Sequence, residues 1–184
     1  PWCQKNTGED HNRSRDWGDE PTKRQMMRNF FVGMLISHGT PLLLGGDEWM
    51  RTQLGNNNAY STQADNEFNW FQWGAWQAKD ENHRMHDFVR KMIQLRKDNL
   101  HAFAPKDFGT GAPFSWRNAS NSGEPDWGSR NLMMHYYDDG NWSGMPEIAI
   151  LMNMEGDQVD FDLPGGREWR VVIAEQLNAA ARGT

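Results

Sequence analysis

Two acidic side chains, Asp47 and Glu48, stand side by side in the segment GGDEWMRTQLGNNNAY, Gly45 to Tyr60. Arg51, Gln53, Asn56-Asn57-Asn58 and Tyr60 follow within the same segment. A carboxylate pair hydrolyses a glycosidic bond when its members face each other across the substrate, about 5 to 9.5 Å apart. Neighbours on a strand point to opposite faces, so Asp47 and Glu48 are not expected to act as an acid and nucleophile pair. Each alone reads as a loop anchor or salt-bridge partner, or as a group aimed into a site. Asn56, Asn57 and Asn58 read as a turn, because Asn tolerates left-handed backbone. With Arg51, Gln53 and Tyr60 they also make a dense donor and acceptor surface suited to sugar hydroxyls. Asp65-Asn66-Glu67 and the indoles of Trp70 and Trp73 extend that surface.

Other chemistries find little support. Asp65, Glu67 and Asn69 lack the loop glycine and final bidentate acid of a known calcium pattern. His83 and His86 are spaced to share a helix face, but no third ligand accompanies them, and a solvated face is the simpler reading. No phosphate loop, dinucleotide glycine pattern or nucleophile elbow occurs. Cys3 is the single cysteine, which excludes a disulfide framework and a Cys-rich metal site.

The elements around this stretch follow from periodicity. Thr22 is a plausible N-cap for a helix in which Met26, Met27, Phe30, Phe31, Met34 and Leu35 recur at helical spacing. Ser37-His38-Gly39 ends it, and Pro41 to Leu44 reads as a short, fully buried strand. Helix, short loop and buried strand are the rhythm of an α/β fold with parallel strands. The polar stretch would then lie at the strand's C-terminal end, where (β/α)8 barrels place their chemistry. Residues 1 to 21 read as loop, and 45 to 79 as a long, functional one. An amphipathic helix follows from about Glu81 to Leu100, with Met85, Phe88, Val89, Met92 and Ile93 in one stripe. Gly, Pro, Ser and Asn between residues 104 and 128 mark a domain boundary. Strand-like runs come next: Asn131 to Tyr137, Glu147 to Asn153, Gln158 to Leu163 and Trp169 to Ala174.

The bulk properties narrow the partners. A chain of 184 residues has room for one domain or pieces of two. A net charge of -6 without a basic stripe disfavours nucleic acid and anionic membrane surfaces. No apolar run approaches the roughly 20 residues of a membrane span. The chain starts at Pro1 with nothing like a signal peptide, and the single cysteine is compatible with a cytoplasmic setting. Ten tryptophans read as core packing, or as a surface that stacks on sugar rings.

The segments SHGTPLLLGGDEWMRTQLGNNNAY, Ser37 to Tyr60, and DNEFNWFQW, Asp65 to Trp73, resemble the isoamylase and glycogen-debranching branch of glycoside hydrolase family 13. FVRKMIQLRKDN, Phe88 to Asn99, is similar to that family's last barrel helix, and DFDLPGGREWRVV, Asp160 to Val172, to the β-sandwich that follows the barrel. The resemblance implies α/β followed by all-β: the C-terminal end of a (β/α)8 barrel, its last helix-strand-helix units, plus a partial antiparallel β-sandwich. Residues 1–104 would be the barrel segment and 105–184 the sandwich. Asp47, Glu48, Arg51, Asn57, Asn58 and Tyr60 would border an α-glucan cleft. Ser61 stands where that branch often carries cysteine. The family's aspartate nucleophile, glutamate acid and stabilising aspartate have no counterparts here, and the resemblance places them upstream. The parent would be a retaining α-1,6-glucosidase acting on glycogen or an amylopectin-like glucan without metal or organic cofactor. This chain alone would be inactive and would have the upstream barrel segment as its partner. The alternative is a non-catalytic α-glucan-binding module or a structural remnant.

Overall fold

The computed structural model describes residues 17–54, 56, 65–77, 79–107 and 109–174. The chain divides into two units: residues up to Ile36 together with Pro41–Leu95, and Ser37–Thr40 together with the residues from Arg96 on.

In the first unit, helix α1 runs over Glu20–Ile36. Its cap is Asp19 rather than Thr22. The Asp19 carboxylate accepts the Thr22 N–H at 2.8 Å, satisfying a donor of the first turn. Those hydrogen bonds hold the Asp19 carboxyl below its ordinary range. Helix α2, Asp80–Asp98, carries Asp80 and Glu81 in its first turn and Arg96 and Lys97 in its last, which suits the helix dipole. Met85, Val89 and Met92 are buried on it. Met85 and Val89 close on Phe31 of α1, and Met27, Met34, Leu43, Met50, Phe88 and Ile93 pack around them. Each fully buried side chain of this kind contributes about 1.5–3 kcal/mol.

The apolar run at Pro41–Leu44 departs from expectation. It forms no paired strand, because a strand ladder needs a neighbour and the described residues of this unit supply none. Leu43 packs on the cluster, while Leu42 and Leu44 are 91% and 60% exposed. The chain therefore covers one face of a run that was expected to be buried on both.

The second unit contains a short helix, α3, at Leu100–Phe103, and strands β1 Phe114–Arg117, β2 Asn131–Tyr136 and β3 Ile148–Asn153. The strands form one antiparallel sheet in the order β1-β2-β3. Met133, Met134, His135 and Tyr136 of central β2 are all buried, so both faces of that strand are covered. Tyr136 pairs with Phe114 and Ile148 across the sheet and meets Phe103 edge-on at 5.5 Å. Burial pushes its hydroxyl up to about 12, against the lowering charge of Arg96. The turn at Ser37–Thr40 is pinned by Arg96, which is buried and donates to the carbonyls of Ser37 and Gly39. His38 Nε2 donates to the Ala102 carbonyl at 2.8 Å.

β2 and β3 match the sequence reading to within a residue. β1 lies inside the stretch read as a boundary. Gln158–Leu163 and Trp169–Ala174 form no paired strands. Val159, Phe161 and Leu163 are nonetheless more covered than Asp160 and Asp162. Alternating side chains thus settle on the core, although the backbone reaches it through bonds such as Asp162 N–H to the Ala119 carbonyl. Side chains complete the attachment. Glu147, before β3, takes two hydrogen bonds from the Arg167 guanidinium at 2.9 and 2.7 Å. Its other oxygen lies 3.0 Å from His135 Nε2 on β2. Trp169 stands edge-on to the His135 ring at 5.9 Å and donates its indole N–H to the Pro164 carbonyl. Burial pushes the Glu147 carboxyl up, but the hydrogen bonds and charges of Arg167 and His135 outweigh it and leave the group below its ordinary range. No helix among the described residues is long and apolar enough to cross a membrane.

Candidate functional site

Gly45-Gly46 turns the chain out of the apolar run and into a single 3-10 turn, Asp47–Trp49. Gly46 has φ 100°, and a Cβ there would lie 2.5 Å from Arg51 Cδ and 2.7 Å from Arg51 Cβ. Only glycine meets both demands. The turn closes through Asp47 N–H to the Leu44 carbonyl and Arg51 N–H to the Gly46 carbonyl.

Asp47 and Glu48 therefore sit on a 3-10 turn, where successive side chains splay by about a third of a revolution, and not on a strand. Their roles separate. Glu48 folds back and accepts the Gly46 N–H at 2.7 Å, which makes it the anchor of its own turn. The Asp47 carboxyl is raised above 3.8, first by burial and then by the charge of Glu48, with Arg51 pulling the other way. Trp49 is buried beneath the turn, edge-on to Phe71 at 5.7 Å.

Arg51 is held on several sides. Its guanidinium donates to the Asn69 carbonyl at 2.9 Å and to the Gln53 side-chain carbonyl at 3.4 Å. It also lies 5.9 Å from the centre of the Phe71 ring. Asn69 is the hub of the arrangement. Its Oδ1 accepts Gln53 Nε2 at 2.7 Å and Asn56 Nδ2 at 2.8 Å, and its Nδ2 donates to Asn66 Oδ1 at 3.2 Å. Asn66 Oδ1 takes the Phe68 N–H as well. The amides fasten the 51–56 loop to the 65–70 turn, and Arg51 is fixed between them.

Of the candidate residues, Asp47, Glu48 and Arg51 come together around this turn. Asn57, Asn58 and Tyr60 lie outside the described residues. Asn56, read as part of a sugar-binding surface or a turn, is instead 2% exposed and spends its amide on Asn69. The sequence offers Asn69 only as part of a weak calcium pattern. Its amide oxygen already receives two N–H donors, so it serves protein and not metal. His83 and His86 do not form a solvated face. Both are half-buried, with Trp76 ring centroids 4.8 and 5.2 Å away. Among the described residues no group of three or more His, Cys, Asp and Glu side chains is placed to hold a metal ion.

The site thus brings together one carboxyl raised above its ordinary range by burial, one guanidinium in a fixed place and, at Trp70 and Trp73, exposed indoles. No family model matches the chain. Individual proteins do. Over 177 residues, 90% of this chain, it is 29% identical to "Isoamylase SU1, chloroplastic" of Zea mays and 30% identical to "Isoamylase 1, chloroplastic" of Oryza sativa subsp. japonica. Over 115 residues, 58% of this chain, it is 37% identical to "Glycogen operon protein GlgX homolog" of Mycobacterium tuberculosis. The chain is of isoamylase type. This isoamylase-type chain spans 21% of the length of the two plant proteins and 15% of the mycobacterial one.

Proposed function

We propose that this isoamylase-type chain is a segment of a glycoside hydrolase that cleaves α-1,6 branch linkages in glycogen or a related α-glucan. The parent would use the retaining, two-step carboxylate mechanism, with a nucleophile and acid carried outside this segment. The chain's own part is to line the glucan cleft. Arg51 and Asp47 would meet sugar hydroxyls, and Glu48 would keep their turn in shape. Asn57, Asn58 and Tyr60 belong to the same proposed lining. The observation that carries this reading is the fixation of Arg51 by Asn69 and Gln53, a preorganised polar group on a chain similar to proteins named isoamylase and GlgX.

On this reading residues 1–104 close a (β/α)8 barrel and 105–184 belong to an antiparallel β-sandwich. The exposed Leu42 and Leu44 flanking a covered Leu43 support the first part, because a barrel strand buries both faces and the face of Leu42 and Leu44 is the one the rest of a barrel would cover. The three-stranded antiparallel sheet supports the second. We place the parent in the cytoplasm for a bacterial source.

The test is release of linear chains from glycogen and amylopectin by the purified chain and by the whole protein that contains it. The chain alone should release none. The whole protein should debranch, and Arg51→Ala should lower its kcat/KM by about tenfold or more, the scale of one charged hydrogen bond. Debranching by the isolated chain, or none by the whole protein, would refute the proposal. The exposed indoles favour a second reading, a glucan-binding module without catalysis, which predicts that the whole protein containing the chain co-sediments with glycogen and releases no linear chains.

A further inference from the structure

Three aromatic rings of the first unit form a graded series from core to water. Trp49 is 5% exposed. Phe71, half-buried, stands edge-on to it at 5.7 Å. Trp73 stands 4.7 Å beyond Phe71 and is 81% exposed. The inner rings are rigidly seated, for Trp49 is packed beneath the 3-10 turn and Phe71 carries the Arg51 guanidinium at 5.9 Å. Trp73 N–H is bonded to the Phe71 carbonyl, and Ala75 N–H to that of Gln72, so the backbone under the outer ring is turned and tied. A large indole is thus set into water on a firm base.

An open indole face takes a flat partner: a pyranose, a nucleobase or another aromatic ring. The charges select among these. The segment Asp65–Trp73 carries Asp65 and Glu67 and no Lys or Arg, and the whole chain has a net charge of -6. A nucleotide brings phosphate, which needs cations. A neutral sugar needs no cation, and its C–H face can lie on the open indole.

We infer that Trp73, backed by Phe71, is a stacking subsite for one glucosyl ring of an α-linked glucan chain. The inference rests on the glucan reading proposed above and, of the two indoles that extend the polar surface in the sequence, gives the stacking contact to Trp73, the more exposed one. Phe71 is a positioning residue here. It touches Trp73 and holds its angle, without meeting the sugar.

The experiment is a titration of the 184-residue chain with maltoheptaose, followed by tryptophan fluorescence and by calorimetry, on the unaltered chain, Trp73→Ala and Trp73→Phe. The exposed position of Trp73 leaves all three with the same unfolding midpoint. The expected result is binding with a fluorescence change, weakened about tenfold in Trp73→Ala and largely kept in Trp73→Phe, the size of an aromatic contact with its buried area. Equal binding by the unaltered chain and Trp73→Ala would overturn the subsite and leave the glucan reading standing. No binding of maltoheptaose by the unaltered chain would overturn the subsite too. Debranching by the whole protein then decides the glucan reading separately. Binding of a nucleotide in preference to maltoheptaose would overturn both the ligand class and the charge argument.

Discussion

Asn69 in the first unit and Glu147 in the second solve one problem with different chemistry. Each fastens a segment that has no ladder or helix of its own. Asn69 does so with neutral amides, taking N–H groups from Gln53 and Asn56 and giving one to Asn66. Glu147 does so with charge, taking two hydrogen bonds from Arg167 and lying against His135. The neutral hub is insensitive to pH and intolerant of shape change. The charged hub tolerates some movement, because Arg167 is long and half-exposed, but it depends on ionisation. A loop that must present a fixed surface is better served by the first kind, and a peripheral segment can be held by the second.

The largest effect that separates the two follows from Asn69→Leu. It removes the acceptor of two amides, one of them on a residue 2% exposed, and a buried donor left without a partner costs about 1–3 kcal/mol. We expect a loss of about 3 kcal/mol in urea unfolding, with the amides of residues 51–56 exchanging faster with solvent. Asn69→Asp keeps the acceptor and should lose less. If Asn69→Leu unfolds like the unaltered chain, the neutral hub is not what holds the loop.

Glu147→Gln comes next. It keeps the shape and removes the charge, so Arg167 loses its ion pair and His135 its carboxylate. Charge-assisted hydrogen bonds contribute about 1.5–3 kcal/mol. With Arg167 half in solvent, a loss of about 2 kcal/mol is expected, and proteolysis should begin between residues 158 and 170. The pH dependence has a definite sign. The Glu147 carboxyl lies below its ordinary 4.5 in the folded chain. Its contribution is therefore full above 4.5 and disappears as pH falls through the lowered folded value. Unfolding of the unaltered chain should grow easier on acidification in that window, and Glu147→Gln should flatten that part of the curve. An unchanged curve would show that the segment is held by packing alone.

These hubs show what the sequence discloses and what it conceals. The helices were legible because Met85, Val89 and Met92, with Phe31 and Leu35, repeat at the helical period and are buried for that reason. The start of α1 shifted by three residues, since Asp19 won the cap from Thr22, and the ends of α2 by one or two. β2 and β3 were legible from apolar runs of strand length. β1 was not, because Phe-Ser-Trp-Arg is four residues long and set among turn formers. Val159, Phe161 and Leu163 alternate as a strand would, yet alternation specifies only which side chains face the core. It does not supply a neighbour to pair with. In the candidate site, the turn at Gly45-Gly46 announces itself by residue type. Asn69 does not, because its role arises from the meeting of two loops that lie 13 to 18 residues apart in the chain. No local pattern records such a convergence.

Asp47 supplies the smallest effect and the sharpest contrast with Glu147. Its carboxyl is raised above 3.8 by burial and then by Glu48, with Arg51 opposing. The sign is the reverse of Glu147. A raised carboxyl costs stability wherever it is ionised in the folded chain, and that cost disappears as pH falls below 3.8. Asp47→Asn removes the cost, so the variant should be more stable than the unaltered chain at neutral pH, by less than about 1 kcal/mol given its solvent exposure. The two should become equally stable below 3.8. Sugar binding supplies the second half of the argument. If Asp47 accepts a glucan hydroxyl, the stabilised Asp47→Asn chain should bind maltoheptaose more weakly. A group strained for function and not for folding gains stability and loses affinity when it is neutralised. Weaker binding without the gain in stability would show that the carboxyl is an ordinary part of the turn, and the gain without the loss would remove Asp47 from the cleft.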